Sequence, residues 1–118
     1  MYGNINTELG KVSVDSKVIQ KVAGYTALDC AGIVGMAALS KRDGIVKLLT
    51  RNSLTKGIKV SITPGGVVID FHVIIVFGVT ISAIANTLFS SVKYQIENIT
   101  GLRLSRINLY IEGVRVID

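Results

Sequence analysis

The chain has 118 residues, enough for one domain with a sizeable core and too few for two. Hydrophobic residues make up 49%, charged residues 18%, and the net charge is +5, a balance that excludes a disordered tail. Mean hydropathy is high at +0.53, yet the uncharged apolar runs Val73–Val79 and Ala31–Leu39 are far shorter than a membrane helix of roughly 18 residues.

Met1–Gly10 is polar, has no apolar core of a signal peptide, and shows no clear period. Residues 1–9 read as a flexible lead-in, and a cytoplasmic location is expected. Lys11–Val14 alternates as a short strand. Asp15 or Ser16 then caps a helix carrying Val18, Ile19, Val22, Ala23, Thr26 and Cys30 at helical spacing, with Gly32 as its stop. Cys30 is the sole cysteine, so it makes no intrachain disulfide. No histidine or acid pattern flanks it, and it reads as a small buried hydrophobe rather than a reactive thiol.

Ile33–Leu39 fits a short strand or a buried turn equally well. Asp43–Thr50 reads as a short surface helix. Between Lys41 and Lys59, the cations Lys41, Arg42, Lys47, Arg51, Lys56 and Lys59 are opposed only by Asp43, so this segment matches the whole net charge of +5. A basic stretch of this kind fits a solvated surface or an anionic partner.

Ile58, Val60 and Ile62 alternate with Lys59, Ser61 and Thr63 as a half-buried strand. Pro64-Gly65-Gly66 is a tight turn into a long strand with Val67, Ile69, Phe71, Val73, Ile75 and Phe77 on one face. Gly78 ends that strand. Thr80 or Ser82 starts a second helix, whose apolar stripe is Ile81, Ile84, Ala85, Leu88, Val92, Ile96 and Ile99, and Gly101 closes it. The last strand sets Ile107, Leu109 and Ile111 against Arg106, Asn108, Tyr110 and Glu112. Leu102 and Leu104 fall out of phase with Ile107, which predicts a bulge near Ser105. The order β-α-(β)-β-β-α-β implies a single α+β domain over 1–118. It is a two-layer sandwich, with a mixed or antiparallel sheet and both main helices on one face.

No catalytic, metal or cofactor set is visible. The one histidine, His72, shares a strand face with Asp70, but no nucleophile is tied to the pair. Zinc needs several Cys or His ligands, and the chain has one of each. Gly32-Ile-Val-Gly35 matches the GxxG of KH domains only in its glycines, since its centre is apolar and no basic residue adjoins it.

If the helices cover one sheet face, alternation leaves the other to Lys11, Ser13, Lys59, Ser61, Thr63, Val68, Asp70, His72, Ile74, Val76, Arg106, Asn108, Tyr110 and Glu112. The run Val73–Phe77 is apolar on both faces, so Ile74 and Val76 call for a cover, either from this chain or from another subunit. Ile74, Val76, Tyr110 and His72 are therefore the candidate sheet-face contacts. A nucleic-acid-binding module, using the same face or the 41–59 segment, is the alternative function. It lacks the aromatic-glycine pattern of RNA-binding sheets, so nucleic acid is the less favoured partner.

Phe77-Gly78, then Thr100-Gly101-Leu102, then Ile107-Asn-Leu-Tyr-Ile-Glu-Gly113, preceded by Gly10-Lys-Val-Ser-Val and Gly32-Ile-Val-Gly-Met36, form an ordered set. Over roughly residues 5–117 it resembles the bacterial alkaline shock protein family, or envelope stress response family. The resemblance implies a non-enzymatic protein of cell-envelope homeostasis with no cofactor. It implies self-association, and partnership with a membrane anchor protein or a kinase of lipid metabolism at the inner face of the membrane. Many such proteins are acidic with long charged tails. This chain is basic and ends just after its last strand, so it is expected to be a short stand-alone type whose basic segment meets an anionic lipid surface directly.

Overall fold

Polar as it is, the N-terminal segment is already a strand in the computed structural model, which describes residues 2–39, 46–48 and 56–116 (of 38, 39 and 46–48, the backbone only). Strand β1 (Tyr2–Thr7) pairs antiparallel with β2 (Gly10–Asp15), from Tyr2↔Asp15 to Thr7↔Gly10. Thr7 Oγ1 donates to the Gly10 carbonyl at 3.0 Å and accepts the Leu9 N–H at 3.3 Å, closing the turn. The expectation of a flexible lead-in is thus corrected. Only Ile5 marks the buried side of β1, alternating with Gly3, so the strand carries almost no hydrophobic signal. Close approach holds the ribbon down: Gly3 lies against Leu102, and Ile5 against Gly101.

Helix α1 (Ser16–Leu28) starts where Asp15 accepts the Lys17 N–H at 3.0 Å. It buries Ile19, Ala23, Gly24 and Ala27. The chain leaves the helix at Asp29, and Gly32, at φ +94°, turns it into β3 rather than ending the helix. Strand β3 (Ile33–Leu39) settles the open reading of that segment. It pairs antiparallel with the short strand β4 (Val46–Leu48), through Ala37↔Leu48. The helix expected over Asp43–Thr50 is therefore corrected at its centre; its other residues lie outside those described. Val46-Lys47-Leu48 fits a period of two as well as it fits a helical turn, and so short an apolar run does not separate the two.

Strands β5 (Ile58–Thr63) and β6 (Gly66–Val76) form the expected hairpin, with Ile58↔Phe71 and Thr63↔Gly66 in register. Gly66 has φ +129°, and a Cβ there would lie 2.7 Å from the Arg103 carbonyl oxygen. Strand β6 is the centre of a five-stranded mixed sheet. One of its edges takes β5 along the first half and β3 along the end, through Met36↔Val73. The other takes β7 (Leu104–Arg115) in parallel. The crossover between them is helix α2 (Ile81–Thr100).

Val67, Ile69, Phe71, Val73 and Ile75 face the helices and are buried. Phe77, expected in the same row, is 70% exposed because it lies beyond the end of β6. In α2 the buried line is Ile84, Leu88, Val92, Ile96 and Thr100. Each i+4 step advances roughly 40° around the helix, so the contact line winds as it climbs. That drift leaves Ile81 and Ile99, expected on the stripe, 50% and 60% exposed at the two ends. Gly101 ends the helix at φ +75°, with its N–H on the Glu97 carbonyl at 3.0 Å. The Glu97 carboxylate then accepts the Leu104 N–H at 3.0 Å and starts β7. The bulge expected near Ser105 is present: Val67 pairs with Leu104 and Val68 with Arg106. A second bulge falls at Glu112, between Val73↔Ile111 and Ile74↔Gly113.

Candidate interaction surface

The face of the sheet away from α1 and α2 carries every polar residue of β6 and β7 that the alternation placed there. The offset set by the Ser105 bulge brings Asp70 opposite Asn108 and His72 opposite Tyr110. Asn108 Nδ2 donates to Asp70 Oδ1 at 2.8 Å. The His72 and Tyr110 rings stack with centroids 4.8 Å apart and planes 12° from parallel. His72 Nδ1 meets Glu112 Oε1 at 2.9 Å, so this nitrogen carries the proton and donates to the carboxylate. All three side chains stay partly open to solvent, and Tyr110 is 45% exposed.

Asp70 and His72 thus turn to separate partners on β7 rather than to each other, and they do not form an Asp-His dyad. Among the described residues there is no group of three or more potential metal ligands. Lys59 stands across β5 from Asp70, and Ser61 from Val68, completing the rows. Lys11 and Ser13, expected on this face, belong instead to the separate β1–β2 ribbon, where Ser13 Oγ donates to Asn4 Oδ1 at 2.7 Å.

Ile74 corrects the candidate contacts. It is 5% exposed within the single chain, at the level of Gly35 on β3 and Gly113 on β7. Val76, next along the strand, is half-buried. Of the candidate set, His72 and Tyr110 are brought together, while Ile74 is not available to a partner. Among the basic residues, Lys56 and Lys59 are exposed, and Lys47 lies in β4 with only its backbone described. Lys41, Arg42 and Arg51 lie outside the described residues.

Sequence reasoning missed a groove of about 1000 Å³ between the outer sides of α1 and α2, lined by Val22, Tyr25, Cys30, Tyr94 and Ile99 among others. The available signal was Tyr25 and Tyr94, large residues off the buried lines of both helices. Cys30 sits at its floor, and burial pushes its thiol pKa up from the ordinary value. The thiolate is the reactive form, so a maleimide at pH 7.5 is expected to label Cys30 at least tenfold slower in native protein than in urea. Equal rates would show the thiol to be open.

Among the described residues no helix is long and apolar enough to cross a membrane. No solved structure matches the chain. It is 34% identical over 115 residues to the uncharacterized protein YloU of Bacillus subtilis, covering 97% of this chain and 96% of the relative. It is 32% identical over 118 residues to the uncharacterized protein Spy1614 of Streptococcus pyogenes, covering 99% and 98%. A second Bacillus subtilis protein, the uncharacterized YqhY, is 30% identical over 110 residues, covering 93% and 81%. Residues 4–116 match the family model of alkaline shock protein 23, whose described function is cell envelope-related. The chain therefore belongs to the alkaline shock protein 23 family, in agreement with the motifs that first suggested it.

Proposed function

We propose that this protein serves the cell envelope without catalysis, by associating with itself and with a membrane anchor protein or another membrane-associated partner. One observation carries the reading beyond the family's general envelope role: the exposed sheet face holds a pre-ordered His72–Tyr110–Glu112 cluster. Stacking and the carboxylate have already restricted these side chains, so a partner that lands on them costs little further ordering. Exposed aromatics that are already held in place are common anchors of protein interfaces. The basic residues between Lys41 and Lys59 suit an anionic membrane surface beside such a partner.

The test is complementation in a bacterium whose own copy has been removed and which then grows poorly under envelope stress. Tyr110→Ala removes an exposed ring and is expected to cost about 1 kcal/mol of stability or less. It should nevertheless fail to restore growth, while Thr63→Ala on the same face restores it. Full rescue by the Tyr110→Ala, His72→Ala double variant would overturn the role of this face.

A further inference from the structure

Among the described residues, strand β7 is hydrogen-bonded along one edge only, to β6. Among the described residues no strand pairs its other edge. Bulges at Ser105 and Glu112 frame a regular stretch, Arg106 to Ile111. The Val67 N–H donates to the Arg103 carbonyl at 2.8 Å and the Phe77 N–H to the Arg115 carbonyl at 2.7 Å. In a parallel ladder, alternate residues turn both backbone groups to the same neighbour. Carried along the register, this phase points Arg106, Asn108 and Tyr110 at β6 and leaves the backbone groups of Ile107, Leu109 and Ile111 at the free edge. The side chains of those three pack on the core, yet they are only half-buried. An unpaired edge of this kind is a template for another strand.

The sequence along the edge is complementary to itself. An antiparallel pairing with a two-fold axis at Leu109 sets Ile107 opposite Ile111 of the second copy and Leu109 opposite Leu109 of the second copy. On the other face it sets Asn108 opposite Tyr110, and brings Arg106 level with Glu112 at the bulge that ends the ladder. Every core-side pair is then aliphatic, and the one cation of residues 104–113 meets the one anion. Moving the axis to Asn108 would put Arg106 opposite Tyr110 and Glu112 opposite Leu104. Moving it to Tyr110 would put Arg106 opposite Val114 and Glu112 opposite Asn108. Charge pairing therefore selects the Leu109 axis. The bulges end the regular ladder short of Arg103 and Arg115, which would repel each other.

We infer that two copies join β7 to β7, antiparallel about Leu109, with Arg106 and Glu112 paired across the junction, so that their sheets become one. This rests on the self-association proposed above and names its interface.

Cysteine cross-linking in a Cys30→Ala background tests the register. Directly opposed antiparallel residues sit about 5.5 Å apart at Cα when hydrogen-bonded, within disulfide reach. Under mild oxidation Leu109→Cys should cross-link with itself. Ile107→Cys and Ile111→Cys should each stay uncrosslinked alone and cross-link when mixed. Sedimentation tests the charge pairing: Arg106→Glu should weaken the dimer about tenfold or more, and R106E/E112R should restore it. Circular dichroism checks that each variant is folded, which Arg106, an exposed residue, gives every reason to expect. A wild-type chain that stays monomeric at every concentration overturns self-association and this interface together. A wild-type oligomer that ignores Arg106→Glu, or that cross-links through Ile107→Cys alone, overturns the interface and leaves self-association standing.

Discussion

Phe71→Ala is expected to remove a large share of the protein's stability, lowering its urea midpoint by about 2 M. Phe71 is fully buried at the middle of β6, the strand on which β3, β5 and β7 all pair. Truncating a buried phenylalanine costs about 3–5 kcal/mol, through lost transfer energy and the cavity left behind. A domain of ordinary stability has only about 5–15 kcal/mol in hand. Phe77→Ala is the matched control: same residue type, same alternation, but beyond the strand and 70% exposed. It should move the midpoint by less than about 0.5 kcal/mol equivalent. Equal losses at the two positions would mean that Phe77 is buried in solution.

Gly66→Ala is the second large effect, about 3 kcal/mol, and it acts through backbone rather than core. Gly66 has φ +129°, where an L side chain is strained by about 1–3 kcal/mol. Its new Cβ would also lie 2.7 Å from the Arg103 carbonyl oxygen, the acceptor of the Val67 N–H. To relieve the clash, the start of β7 must move from the start of β6 and that hydrogen bond must lengthen. The neighbouring Gly65 has ordinary φ, and only Thr63 Oγ1, at 3.8 Å, stands near its Cβ position. Gly65→Ala should therefore change thermal stability by no more than about 0.5 kcal/mol either way. If the two substitutions melt alike, the close approach of the β5–β6 turn to Arg103 is wrong.

The parts of the fold that were legible share one property: many side chains reporting the same period. Strand β6 alternates from Ile69 to Val73, and α2 has its Ile, Leu and Val at i+4. The break of phase between Leu104 and Ile107 was enough to place the Ser105 bulge. Strand β1 was not legible, because its buried side is Gly3 and Ile5, and a glycine reports no period. Strand β4 was misread because three residues are too few to tell a strand from a helical turn. The direction of β7 followed from the crossover through α2, which composition does not encode.

The candidate face was legible as a set but not as pairs. Alternation assigned His72, Tyr110, Asp70, Asn108 and Glu112 to one side. That His72 meets Tyr110, and not the next residue, depends on the single residue skipped at Ser105. The apolar run Val73–Phe77 called for cover on both sides; Ile74 is 5% exposed, Val76 is half-buried and Phe77 is 70% exposed. What could not be read was that the strands beside Ile74 offer only Gly35 and Gly113 at its level.

The β1–β2 ribbon leans on Leu102 and Gly101, and β6 takes its parallel partner from residues 104–115. The N-terminal ribbon and the central strand therefore close on the same late segment. During synthesis, the β1–β2 ribbon lacks its support until Leu102 is made, and β6 keeps an unpaired edge until translation has passed Arg115. At about 5–20 residues per second, the nascent chain carries the apolar β6 with one edge bare for seconds. Residues 66–76 are thus a stretch for which a chaperone would have a purpose before release from the ribosome.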